Sequence, residues 1–131
     1  MNLLSCLIPK AQVATLEGGE TVRAAVQKMS YHHFTAIPVI GSEGHYLYSI
    51  STGDILFYLQ ENDMTLKQME DVPLEVIPIH RPLMALSVDA GEGEIESALM
   101  NQNFIPMVDE RGIFIGIVTR KRLVEALSKK E

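Results

Sequence analysis

Phe34-Thr35-Ala36-Ile37-Pro38-Val39-Ile40, a polar turn around Gly44, and Tyr46-Leu47-Tyr48-Ser49-Ile50-Ser51-Thr52-Gly53-Asp54-Ile55-Leu56 recur 68 residues further along the chain. The counterpart is Asn103-Phe104-Ile105-Pro106-Met107-Val108-Asp109, a turn at Gly112, and Ile113-Phe114-Ile115-Gly116-Ile117-Val118-Thr119-Arg120-Lys121-Arg122-Leu123. Pro38 and Pro106, Gly44 and Gly112, and Ser51 and Thr119 keep the same offset, so a whole supersecondary unit is duplicated. In each copy an apolar run with an early Pro reads as a short strand, and the Gly turn returns the chain as a second strand. A helix then starts at Thr52 or Arg120.

Outward from this hairpin, each unit opens with a short apolar strand, Val13 to Leu16 and Ala85 to Val88. A helix follows, with its apolar face on Val22, Ala25, Val26 and Met29, or on Ile95, Ala98 and Leu99. The predicted order is strand, helix, strand, strand, helix, twice over: a mixed α/β (α+β) chain of two pseudosymmetric repeats. The predicted division is an N-terminal helix and first repeat in 1–61, a connector in 62–79 and a second repeat in 80–131. Within the connector a short helix is expected around Thr65 to Glu70, bounded by Pro73, Pro78 and Pro82. Twenty-three positions separate Thr15 from Pro38 but only 19 separate Ser87 from Pro106, which predicts a first helix about one turn shorter in the second repeat.

With 131 residues the chain is long enough for one compact domain or two small, intimately packed units. Apolar residues at 47% and charged residues at 21% fit a globular core and exclude long disorder. Seventeen acidic against 11 basic residues leave a net charge of −6, which repels nucleic acid and anionic membranes, so an anion must be bound by local charge. The one cysteine, Cys6, can form neither an internal disulfide nor a zinc cluster, so a cytoplasmic home is expected. Met1 to Ile8 is apolar but lacks basic flanks, and Pro9-Lys10 halt it well short of a membrane span; it reads as a short packing helix. Met1 and the polar tail Ser128-Lys129-Lys130-Glu131 read as natural chain ends.

The duplicated order, Ala25-Val26-Gln27-Lys28-Met29 followed by Ala36-Ile37-Pro38-Val39, and the Gly-hydrophobic-x-hydrophobic-Ser/Thr-x-x-Asp pattern ending at Asp54 resemble the tandem CBS-domain, or Bateman, module. The resemblance runs from about Lys10 to Leu127. It implies two α/β units about a pseudo-twofold axis with two clefts between them, and a regulatory sensor of adenine nucleotides. For the first cleft it implies Gln12, Val13, Ala14, Phe34, Thr35, Ala36 and Pro38 together with Thr119, Arg120, Lys121 and Arg122. Extended backbone can recognise an adenine edge, and a helix start with a hydroxyl and cations suits phosphate. For the second cleft it implies Ser51, Thr52, Asp54, Ala85, Leu86, Asn103 and Phe104, with Asp54 accepting from ribose hydroxyls.

Arg122 stands where the first repeat has Asp54, which favours a phosphate-rich ligand in the first cleft. Thr35 with Arg120 and Lys121 is similar to the pattern of small two-repeat receptors for cyclic di-AMP. AMP, ADP, ATP, NAD and S-adenosylmethionine stay open beside it. The resemblance further implies a homodimer formed through the helices, and a regulated partner protein.

The rival reading is a ligand-free protein-interaction or dimerisation module whose clefts are closed by Phe34, Tyr48 and Phe104. An enzyme is not expected, because no nucleophile and base are paired. Adjacent His32 and His33 cannot chelate as an i,i+4 pair does, and His45 and His80 match no ligand spacing, so no metal is expected. Gly91-Glu92-Gly93 has Glu96 where a dinucleotide fingerprint needs its third Gly.

Overall fold

Among the described residues, hydroxyl side chains start four of the five α-helices. Thr21 Oγ1 accepts from the Ala24 N–H (3.3 Å) at the head of α1 (Val22–His32). Ser51 and Asp54 exchange side-chain and backbone bonds in a capping box at α2 (Thr52–Glu61), and Thr65 with Gln68 repeats it at α3 (Leu66–Met69). Thr119 Oγ1 accepts from the Arg122 N–H (3.1 Å) at α5 (Arg120–Ser128). α4 (Glu92–Asn101) starts at Gly91 without a side-chain cap, and Glu92 and Glu94 instead put negative charge on its first turn.

The computed structural model of the protein describes residues 3–128, which fall into two units. One, the first-repeat unit, comprises Ala14–Ser42 and Leu47–Pro82; the other, the second-repeat unit, comprises the N-terminal segment through Val13, Glu43–Tyr46 and everything from Leu83 onward.

In the first-repeat unit the strands β2 (Leu16–Glu17), β3 (Ala36–Ile40) and β4 (Tyr46–Ser51) form a sheet in that order, with β2 parallel to β3. α1 and α2 bury Val22, Ala25, Met29 and Ile55 with Leu16, Ile37, Val39 and Ile50. Met69, Leu74 and Ile77 are part of this core, so residues 62–79 are more than a connector: they complete the first-repeat unit. Arg23 secures them further through Glu70 (2.6 Å).

In the second-repeat unit the sheet order is β1 (Ile8–Pro9), β7 (Phe114–Thr119), β6 (Phe104–Val108), β5 (Leu86–Ser87). The N-terminal segment therefore belongs with the second repeat, not with the first as its position in the chain suggested. The expected short packing helix is a 3-10 helix at Leu3–Cys6, followed by strand β1, and Cys6 is buried in the second core. The exchange is reciprocal, since the segment leading into the second repeat packs in the first-repeat unit. Met1, Asn2 and the tail Lys129–Glu131 lie outside the described residues.

Pro38 and Pro106 sit inside β3 and β6, yet the parallel partner strand begins pairing only at the next residue, Val39 or Met107. The missing N–H is not called upon there. The opening strands are shorter than expected, Leu16–Glu17 and Leu86–Ser87. The register pairs Leu16 with Val39 and Leu86 with Met107, so the repeats differ in length by two residues here. α1 has 11 residues and α4 has 10, so the predicted loss of a helical turn is a loss of one residue. The other extra residue is His33, which ends α1 in the left-handed region (φ 59°).

Candidate functional site

The two helix starts after the hairpins are built alike. Thr52 N–H donates to Thr35 O and Arg120 N–H to Asn103 O, each at 2.9 Å. Asp54 N–H donates to Ser51 Oγ and Arg122 N–H to Thr119 Oγ1, each at 3.1 Å. All four bonds obey the 68-residue offset, so the duplicated hydroxyls and pre-strand carbonyls fix the same local backbone twice.

The side chains then diverge. Asp54 is buried; Oδ2 accepts from Ser51 N–H (2.9 Å) and Oδ1 from His80 N–H (3.2 Å). Its carboxylate thus closes a capping box and holds the end of the 62–82 segment, whose His80 ring meets Phe57 edge-on at 5.1 Å. Arg122, its counterpart, is exposed.

In the second-repeat unit Asn103, Thr119, Arg120, Lys121, Val124 and Glu125 line an open depression of about 470 Å³. This brings Asn103 beside three residues that the sequence assigned to the other cleft. The Arg120 guanidinium is turned onto the end of α4, where it donates to Leu99 O and, at 3.0 Å, to Gln102 O. A cation there offsets the negative helix terminus, so Arg120 is spent largely on structure. Lys121 and Arg122 are exposed, and neither side chain has an ion pair among the described residues. Gln12 ends a 3-10 turn that packs on β7, and Val13 follows it, half-buried. Ala85 and Phe104 are half-buried, Leu86 is buried in β5, and Asn103 is exposed.

In the first-repeat unit Ala14 and Ala36 are half-buried and Pro38 is buried, whereas Phe34, Thr35 and Thr52 are exposed and Ser51 is half-buried. Phe34 stacks on His32 (5.2 Å) and, with Thr52, borders an apolar groove of about 280 Å³ floored by Met29, Ile55 and Leu59. Burial, assisted by Glu75, pushes the Tyr48 hydroxyl up from its ordinary value. Each predicted set is thus divided: Gln12, Val13 and 119–122 lie in one unit and Ala14 and 34–38 in the other; Ser51, Thr52 and Asp54 in one and Ala85, Leu86, Asn103 and Phe104 in the other.

Sequence reading missed Gln102. It is buried, with Oε1 accepting from Met84 N–H (2.9 Å) and Nε2 donating to Met84 O (3.0 Å) and Phe104 O (2.8 Å). The available signal was its offset partner, Phe34: an amide in one copy of an apolar position. Among the described residues no three of His, Cys, Asp or Glu gather as metal ligands, and no helix is long and apolar enough to cross a membrane.

The CBS domain family matches residues 7–61 and again 75–129. A CBS domain protein from Streptococcus pneumoniae TIGR4 shares 28% identity over 98% of this chain and 87% of its own, with a TM-score of 0.84. CbpB from Streptococcus agalactiae shares 25% over 97% and 82%, with a TM-score of 0.81. CbpB from Listeria monocytogenes, solved in complex with c-di-AMP, shares 23% over 99% and 97%, with a TM-score of 0.81, a likeness of fold. A search of curated proteins gives no match. The duplicated strand-helix-strand-strand-helix unit and both family matches make one statement: the chain belongs to the CBS domain family, of which it carries a tandem pair.

Proposed function

We propose that this protein is a regulatory module, without catalytic activity of its own, that binds an adenine nucleotide, with cyclic di-AMP the foremost candidate and AMP or ATP the alternatives. The observation that carries the reading is the head of α5, where exposed Lys121 and Arg122, without an ion pair among the described residues, follow the Thr119 cap in a protein of net charge −6. A helix start with two free cations suits phosphate oxygens. The fold shared with CbpB bound to c-di-AMP supports the same ligand class. Of the predicted residues, Lys121, Arg122 and Thr119 are assigned to phosphate, and the backbone of Ala85, Leu86, Asn103 and Phe104 to the base. Gln12, Val13, Ala14, Phe34, Thr35, Ala36, Pro38, Ser51 and Thr52 are kept as candidate contacts. Asp54 and Arg120 act mainly as supports.

The ligand regulates by binding two states of the protein unequally, and so alters the surface shown to a partner protein. That surface is assigned to a cytoplasmic homodimer formed through helices, consistent with the exposed Tyr31, Leu56, Phe57, Met100 and Val124. The test is a thermal melt with cyclic di-AMP, AMP, ADP, ATP, NAD and S-adenosylmethionine. A ligand at 100 times its Kd adds about 2.7 kcal/mol of stability. Lys121→Ala with Arg122→Ala is expected to abolish the shift. A flat response to every nucleotide overturns the proposal and favours a ligand-free interaction module, and light scattering that gives a monomer overturns the dimer.

A further inference from the structure

Parallel pairing between β5 and β6 is confined to Leu86 with Met107 and Ser87 with Val108. Toward the N-terminal ends of these strands the backbone ladder stops, and the Gln102 side chain takes over. It engages both the N–H and the carbonyl of Met84 as a neighbouring strand would, and its third bond holds Phe104 O. Gln102 is itself fixed, because its carbonyl and that of Leu99 accept from the Arg120 guanidinium. The Arg120 N–H meanwhile holds Asn103 O. One buried amide and one arginine thus tie the segment at Met84 to the Gln102–Phe104 segment, with Ala85, Leu86 and Asn103 beside or between the ties.

The first repeat has no such device. Sixty-eight residues earlier the two positions are Phe34 and Thr52, and they border an open apolar groove instead.

We propose that Gln102, braced by Arg120, is a positioning residue for base recognition: it sets the separation of the two backbone segments that read the adenine in the second-repeat unit. This rests on the nucleotide-binding reading above. Gln102 touches no ligand, and Arg120 serves as its strut rather than as a phosphate ligand. Backbone recognition of a base edge demands donors and acceptors held within tenths of an ångström, and a fully bonded buried amide supplies that rigidity before the ligand arrives.

The test uses the full chain and Gln102→Met, which keeps the volume of the side chain but none of its hydrogen bonds. Without ligand, amide exchange followed by NMR is expected to speed up at Met84 by about tenfold or more, with core amides such as Val118 unchanged. With cyclic di-AMP as probe, affinity is expected to fall by about tenfold or more. The salt dependence of binding stays as in the wild type, because the phosphate cations are untouched; Lys121→Ala is the contrasting variant that flattens it. If Gln102→Met fails to fold, Arg120→Lys, which removes the fork but keeps the charge, is read by the same two measurements. Wild-type Met84 exchange or wild-type affinity in a folded variant overturns the positioning role while leaving nucleotide binding intact. A wild-type protein that binds none of cyclic di-AMP, AMP and ATP overturns the functional reading itself, and the positioning role with it.

Discussion

Gly116 is where the N-terminal segment meets the second-repeat sheet, and replacing it with Ala puts the exchange of segments to the test. A Cβ built there collides with Ile8 O and lies 3.0 Å from Leu7 Cδ1 and 3.1 Å from the Ile8 carbonyl carbon, on a backbone with φ +151°. A carbon resting against a carbonyl oxygen needs about 3.3 Å, so β1 must back away from β7 by roughly 1 Å, beyond what a strand spacing of about 4.8 Å tolerates. The positive φ costs about 1–3 kcal/mol for a residue with a Cβ, and the overpacking costs about as much again, so Gly116→Ala is expected to lose about 2–6 kcal/mol. With a urea slope of about 2 kcal/mol/M the midpoint falls by roughly 1–3 M. Release of β1 is the escape from this strain, and Cys6, only 4% exposed, reports it. The variant is therefore expected to react with a thiol reagent well before global unfolding, whereas the wild type does not. An unchanged urea midpoint together with a shielded Cys6 would refute the assignment of the N-terminal segment to this sheet.

Asp54→Ala leaves the N–H groups of Ser51 and His80 without their acceptor and is expected to cost about 2–4 kcal/mol in urea unfolding, with Asp54→Asn recovering part of it; a loss below 1 kcal/mol would contradict the clasp. Asp109 lies in the β6–β7 turn, where its carboxylate accepts from Ile113 N–H (3.0 Å) and Arg111 N–H (2.8 Å). The Ile113 bond foremost, then the Arg111 bond and the charges of Arg111 and His45, lower its pKa below the ordinary 3.8. Its contribution is then fully present above pH 3.8 and disappears as pH falls through the lowered value, so Asp109→Asn should flatten the acid limb of the melting profile, and an unaltered limb would count against it.

The repeat was legible because it is written in residues whose local chemistry is self-sufficient. Ser51 and Thr119 cap whatever helix follows them, and Pro38 and Pro106 mark the residue before parallel pairing begins, so the same letters at the same offset dictate the same backbone. Segment exchange was not legible, because nothing local tells Ile8 to pair with Ile117 rather than with its own repeat. The one trace is the unequal pair Tyr48 and Gly116: a glycine inside a strand marks a close backbone approach, and the tyrosine at the matching position shows that only one repeat requires it.

The same logic governs the candidate site. The basic run was visible, but its division of labour was not, since only the packing of α4 reveals that Arg120 is turned onto Leu99 and Gln102 while Lys121 and Arg122 are exposed. Positions where the offset preserves chemistry, 51 with 119 and 38 with 106, build the framework twice. Positions where it breaks, 34 with 102, 52 with 120 and 54 with 122, replace a stacked phenylalanine by a bonded amide, a threonine by a strut and a buried clasp by an exposed cation. Each break falls at a helix end or a strand start whose backbone is fixed by the duplicated caps and pre-strand carbonyls, and it is to these positions that the proposed difference in binding between the two repeats is assigned.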